Sequence, residues 1–176
     1  RHAVENGQVP QGLRRAMETM QRTGSCFPHG QGGPAWPASP GAGKGTALYL
    51  PSPLAAADPL ARAAADAAHD LLSRAGREVT MLHDLLRDTG HEARRWGDEY
   101  LFRELRDALL RQITETAPAL IITEDPHTLN ALRNDFGLSL DVLHSSEAVA
   151  ADLSRMIPNI PPRKDSHVYA VHDPCY

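Results

Sequence analysis

Carboxylates and imidazoles occur together in two short polar stretches of the sequence. Asp88 is followed by His91, and Asp125 is followed by His127. Two carboxylates and two imidazoles form a donor set that suits a divalent metal ion, with zinc and manganese as candidates. If the two stretches lie at the same edge of a sheet, the sequence predicts a metal site built from these four residues.

The same carboxylates have an interpretation that needs no metal. Backbone N–H groups, together with Arg94 or Arg95, would satisfy a pair of buried carboxylates. Asp125 also stands directly before Pro126, where a short acceptor side chain typically caps a helix. Both interpretations remain open at the level of the sequence.

A central stretch of the chain predicts a strand, a tight turn and a helix. Residues 119–122 are an apolar run rich in β-branched side chains, which is typical of a strand buried on both faces. Polar residues 123–128 follow, and then Leu129, Leu132 and Phe136 repeat at helical spacing. In open α/β sheets, ligands bind beyond the carboxyl ends of the strands, so this turn is the first place to expect a site.

Strand and helix signals alternate along the rest of the chain. Strands are predicted at 46–50, 78–82, 119–122, 138–143 and 167–171. Further helices are predicted at 13–21, 59–74, 98–116 and 145–156, with an irregular stretch at 83–96. This alternation predicts an α/β fold, a layered, mainly parallel, Rossmann-like sheet of five strands with helices on both faces.

Charge and hydropathy exclude several classes of partner. The net charge is −4, which does not favour nucleic acid or an anionic membrane. No apolar run approaches the roughly 20 residues of a membrane span, and no signal peptide is recognisable. The chain has two cysteines, far apart in sequence, so neither a disulfide framework nor a cysteine metal site is indicated. A cytoplasmic location is expected.

Three motifs give the chain a family resemblance. Residues 88–102 begin Asp-Thr-Gly-His-Glu-Ala-Arg-Arg-Trp-Gly-Asp-Glu, residues 125–132 read Asp-Pro-His-Thr-Leu-Asn-Ala-Leu, and residues 172–176 read His-Asp-Pro-Cys-Tyr. In this order, they resemble the cysteine-rich (CCG) domain of heterodisulfide reductase-like iron–sulfur oxidoreductases. The corresponding family motifs contain Cys-Cys-Gly or Cys-Thr-Gly before Pro-Ala-Arg-Arg, then Cys-Pro-His-Cys, and finally His-Asp-Pro/Ser-Cys.

The positions at which the resemblance implies cluster cysteines carry other residues: Ser52 or Pro53, Asp88, Asp125 and Thr128. Iron–sulfur clusters are held overwhelmingly by thiolates, whereas hydroxyl and carboxylate oxygens suit harder ions. These positions are therefore expected to be a vestigial cluster site, and no cofactor is expected in this segment.

The resemblance also implies a division of the chain. Residues 1–45 would be an N-terminal arm with a Gly/Pro-rich linker, residues 46–165 a degenerate CCG-type domain, and residues 166–176 a strand leading into a second such domain of a longer polypeptide. Cys175 stands where the cysteines of that second domain begin, so it is expected to bind an iron–sulfur cluster only in the longer chain. Cys26 matches none of the motifs and is expected to be a bystander.

Three functions are compatible with these features. The first is an electron-transfer subunit of a heterodisulfide reductase-like oxidoreductase, in which this domain is a scaffold for redox partner proteins. It would be cytoplasmic, with attachment to a membrane complex on the cytoplasmic side as a variant. The second is a non-catalytic interaction module. The third is a metal-dependent enzyme that uses the Asp and His residues.

Overall fold

A computed structural model describes residues 6–7, 9–27, 46–81, 88–156 and 170 of the chain. They form four strands, β1 (Ala47–Tyr49), β2 (Val79–Thr80), β3 (Leu120–Thr123) and β4 (Asp141–His144). The α-helices are α1 (Gln11–Thr23), α2 (Pro59–Arg74), α3 (His91–Trp96), α4 (Glu99–Thr116), α5 (Pro126–Asn134) and α6 (Ser145–Met156). None of the helices described has the length and apolar content required to cross a lipid bilayer.

The strands form one parallel sheet in the order β2-β1-β3-β4. The chain passes from β1 to β2 on one side and then crosses to β3 on the other, so the strand order reverses between β1 and β3. The predicted α/β class and parallel sheet are confirmed. The strand count differs, because the described residues contain four strands instead of five. The fifth predicted strand, at 167–171, lies outside the described residues except for Ala170, which is not in a strand.

Helices cover both faces of the sheet, as predicted. On one face, Leu48, Ile121 and Val142 belong to a core that includes residues of α1, α4 and α5. On the other face, Tyr49 and Ile122 pack in a core with residues of α2 and α6. Successive strand residues point to opposite faces, so the same short apolar strands contribute to both cores.

Helix α3 corrects the expectation that residues 83–96 are irregular. Gly90 and Gly97 flank this six-residue helix, and both adopt left-handed backbone conformations, with φ of 80° and 95°. Such angles suit glycine and end regular helix geometry. Six residues are too few to show a helical repeat of apolar side chains, which is why the sequence pattern did not indicate α3. Residues 82–87 lie outside the described part of the chain.

The N-terminal helix α1 is packed into the core. Met20 is fully buried, and Gly24, with φ of 79°, ends the helix. The carbonyl oxygen of Gly24 then accepts a hydrogen bond from the backbone N–H of Asp88 at 2.7 Å. This bond connects the segment after α1 to the loop that precedes α3, and so places it beside the candidate site.

Candidate functional site

A cavity of about 380 Å³ lies beyond the carboxyl ends of β1 and β3, where the strand order reverses. Ligands of parallel α/β sheets typically bind at this switch point. The loop after β1, the start of α3, the loop after β3 and the segment after α1 all contribute to its walls. All five positions that the family resemblance aligns with cluster cysteines line this one cavity: Ser52, Pro53, Asp88, Asp125 and Thr128.

Glu124 connects the two central strands at this edge of the sheet. Its Oε1 accepts a hydrogen bond from the backbone N–H of Ser52 at 2.8 Å, and its Oε2 accepts one from the Tyr49 hydroxyl at 2.6 Å. Burial raises the pKa of Glu124, and burial together with the Glu124 charge raises the pKa of Tyr49. Tyr49 was missed at the sequence level, because an aromatic residue in an apolar strand shows no sign of a polar contact.

Asp125 caps α5, in agreement with one of the two interpretations of its sequence position. Its Oδ2 accepts a hydrogen bond from the backbone N–H of Thr128 at 2.8 Å and a second from the Thr128 hydroxyl at 2.6 Å. Pro126 occupies the first turn of the helix. The carboxylate is therefore turned towards its own helix and stabilises the loop after β3.

The cap gives a direct stability prediction. Replacing Asp125 with Ala should lower the free energy of unfolding by about 1 kcal/mol, because the N–H of Thr128 loses its acceptor. Asp125→Asn keeps an acceptor oxygen and should be nearly neutral. Urea unfolding followed by circular dichroism measures both variants. Equal losses in Ala and Asn variants would contradict the capping role.

Asp88 is a buried carboxylate, only 5% exposed. Its Oδ1 accepts a hydrogen bond from the backbone N–H of Gly90 at 3.0 Å, and its Oδ2 lies 3.9 Å from the Cys26 Sγ. Burial, assisted by the nearby charges of Glu92 and Asp125, raises the pKa of Asp88 to about 6, although the Gly90 hydrogen bond and His127 act in the opposite direction.

His91 and His127 lie side by side at the cavity, with ring centroids 5.5 Å apart. Glu92 joins them, and one ligand atom from each of the three residues lies within 4.8 Å of the others. Burial is the main cause of a lowered pKa of His91. The two imidazoles are thus brought together as predicted, whereas Glu92 was missed. Its direction depends on α3, which the sequence pattern did not reveal.

The two arginines after His91 do not compensate the site aspartates as one interpretation expected. Arg94 forms ion pairs with Asp135 and Glu99, and Arg95 lies 4.0 Å from Glu92. The backbone part of that interpretation is correct, because Asp88 and Asp125 both accept backbone hydrogen bonds. The arginine part is wrong, because helix α3 directs both guanidinium groups to other carboxylates.

Cys26, which matches none of the motifs, also lines the cavity, beside the Asp88 carboxylate. Burial, followed by the nearby charges of Asp88 and Glu92, raises the pKa of its thiol to about 12, so the thiol form dominates at neutral pH. The positions that the resemblance aligns with cluster cysteines add only hydroxyl and carboxylate oxygens or a proline. One protonated thiol among oxygen donors does not fit an iron–sulfur cluster, which requires several thiolates.

No protein-family model matches the chain, and no solved structure matches it significantly. The chain is 32% identical over 109 residues to a "probable iron-sulfur-binding oxidoreductase FadF" of Bacillus subtilis (strain 168), a match that covers 60% of this chain and 15% of that protein. It is 30% identical over 115 residues to a "probable membrane-anchored ferredoxin" of Chromohalobacter salexigens, which covers 60% of this chain and 17% of that protein.

Both of these relatives are named as redox proteins, which supports an electron-transfer-related role in general terms. The chain spans only about a sixth of the length of each, so their full activities do not transfer to it.

Proposed function

We propose that the chain is a cluster-free CCG-type module of a heterodisulfide reductase-like iron–sulfur electron-transfer protein, in which it serves as a scaffold. One observation carries this proposal. The positions that correspond to cluster cysteines converge on a single cavity at the switch point, although they are far apart in sequence and carry no cysteine. A cavity that keeps this arrangement without thiolates is what a cluster site that lost its ligands would leave.

The proposal assigns the iron–sulfur cluster to another part of the complete protein. Cys175, in the His-Asp-Pro-Cys-Tyr motif, would contribute one ligand there. The similarity to a protein named as an iron–sulfur-binding oxidoreductase supports this assignment. Redox proteins or other subunits of a complex are the partners that such a scaffold would serve.

The proposed location is the cytoplasm, with attachment to a membrane complex through other parts of the complete protein as a variant. The name of one relative, a membrane-anchored ferredoxin, supports that variant.

Anaerobic purification of the chain, followed by iron and sulfide determination, tests the proposal. We expect a colourless protein without stoichiometric sulfide, because the cavity offers oxygen donors where a cluster needs thiolates. Brown protein with stoichiometric iron and sulfide, lost on substitution of residues at this cavity, would falsify the proposal.

Introducing cysteines at the positions aligned with cluster cysteines gives the complementary experiment. A variant with Ser52→Cys, Asp88→Cys, Asp125→Cys and Thr128→Cys should acquire the visible absorbance of an iron–sulfur cluster after reconstitution. Pro53→Cys replaces Ser52→Cys in a second version, since either residue matches the family position. The matched control carries serine at residues 88, 125 and 128 and should remain colourless. A cysteine variant with a native circular dichroism spectrum that assembles no cluster argues against a vestigial cluster site.

A further inference from the structure

We propose that His91, Glu92 and His127 bind one divalent transition-metal ion at the N-terminal ends of helices α3 and α5. The proposal does not depend on the scaffold function, because a single ion bound by nitrogen and oxygen is chemically distinct from a thiolate-bound cluster. The proposed ligand set also differs from the one indicated by the sequence, because it contains Glu92 and omits Asp88 and Asp125.

The spacing of the three side chains is close to that of a coordination sphere. Metal–ligand bonds of about 2.0–2.2 Å at tetrahedral angles separate two ligand atoms by about 3.3–3.6 Å. His127 Nδ1 and Glu92 Oε1 are already 3.4 Å apart, and the three ligand atoms lie within 4.8 Å of one another. Small side-chain rotations would bring His91 to the same distance.

The contact between His127 and Glu92 is poor as a hydrogen bond, so it does not compete strongly with an ion for these two ligand atoms. The 3.4 Å separation of His127 from Glu92 exceeds the usual length of an N–H···O bond. The Nδ1 of His91 is buried without a hydrogen-bond partner in the part of the chain that the structure describes. A buried ring nitrogen without a hydrogen-bond partner lowers the stability of the folded protein unless another contact satisfies it.

Asp135 provides the second contact that a metal-bound histidine usually has. Its Oδ2 lies 3.9 Å from His91 Nδ1, and Arg94 holds the same carboxylate through an ion pair. Histidine ligands typically donate their other ring N–H to a carboxylate, which fixes the ring and its tautomer. A slight approach of Nδ1–H to Asp135 would leave Nε2 of His91 for the ion.

The surroundings of the three residues favour a cation. Asp88 and Asp125 line the same cavity as Glu92, whereas Arg95 lies 4.0 Å from Glu92 and is mostly exposed to solvent. Two imidazoles and one carboxylate leave coordination positions open towards the cavity for water or another small ligand. The donor set suits zinc, iron(II) and similar ions better than magnesium or calcium.

Titration of the whole chain with Zn²⁺ by calorimetry, and with Co²⁺ by visible absorption, tests the site. We expect one ion per chain and the strong visible bands of a four- or five-coordinate Co²⁺ ion. His91→Gln, Glu92→Gln and His127→Gln should each weaken binding by at least about tenfold, because loss of an outer contact alone typically costs 10–100-fold.

Two substitutions outside the group are matched controls. His69→Gln removes an imidazole from α2, on the other side of the sheet, and Glu115→Gln changes an exposed carboxylate at the end of α4. Both should bind like the parent. Glu92→Gln keeps the shape of its side chain, so it decides the matter even if a histidine variant does not fold. No stoichiometric binding by the parent, or unchanged affinity and spectrum in Glu92→Gln, overturns the proposal.

Discussion

Arg77→Ala is expected to lower the free energy of unfolding by about 3–5 kcal/mol, the usual cost of removing one partner from a buried ion pair. Arg77 lies between α2 and β2, and Asp152 lies on α6 with no solvent-exposed surface. The guanidinium Nε and Nη2 both contact the Asp152 carboxylate, the second at 3.2 Å from Oδ1. Without Arg77, that carboxylate keeps its burial but loses both guanidinium contacts.

Urea unfolding of the parent and three variants measures this effect. Arg74→Ala is the matched control, because Arg74 pairs with Asp70 on the same helix but both side chains are exposed, and such pairs contribute about 0–1 kcal/mol. The double variant Arg77→Met with Asp152→Leu should recover most of the loss, since apolar replacement of a buried pair is often neutral. A loss below about 1 kcal/mol in Arg77→Ala would show that the pair adds little to stability.

Asp88→Asn is expected to stabilise the protein at pH 7 by up to about 3 kcal/mol and to have little effect below pH 4. The folded-state pKa of about 6 lies above the ordinary value of 3.8, mainly because the carboxyl group is buried. The folded protein therefore binds this proton more tightly than the unfolded chain does. The favourable contribution is fully present below about pH 4 and is lost as the pH rises to about 6.

The free energy of unfolding should be measured from pH 4 to 7 in the presence of a chelator, so that no metal ion contributes. The parent should lose stability over this range relative to Asp88→Asn, which keeps an acceptor for the Gly90 N–H. Asp107→Asn is the control, because the Asp107 side chain is half exposed and lies on α4. A pH-independent difference between parent and Asp88→Asn would contradict a charged, buried Asp88 at neutral pH.

Features set by local chemistry could be predicted from the sequence. Asp58 and Asp98 each stand directly before a helix, and both accept a capping hydrogen bond from its first turn. The apolar run before Glu124 forms β3, buried on both faces, and its residues pair with β1 and β4. Composition, turn residues and short-range periodicity are enough for such elements, because the interactions that determine them lie within a few residues.

The directions in which individual side chains point at the candidate site could not be predicted from the sequence. Strand–helix alternation is enough to expect parallel strands, whose carboxyl ends and following loops lie at one edge of the sheet. The direction of each side chain depends on the backbone angles of Gly90 and Gly97, which start and end α3. Glu92 therefore enters the candidate site without a sequence signal, and Cys26 lies there two residues after Gly24, which accepts a backbone hydrogen bond from Asp88.

The central position of β1 in the sheet has a consequence for how the chain folds during synthesis. β1 is made early, but Ala47 pairs with Leu120 of β3, about 70 residues later. Until β3 leaves the ribosome, one edge of β1 has no partner, whereas the helices between them need only nearby residues. Parallel pairing over such a distance is slow because a long loop must close first. We therefore expect the helices between β1 and β3 to form before the cavity at the ends of these two strands.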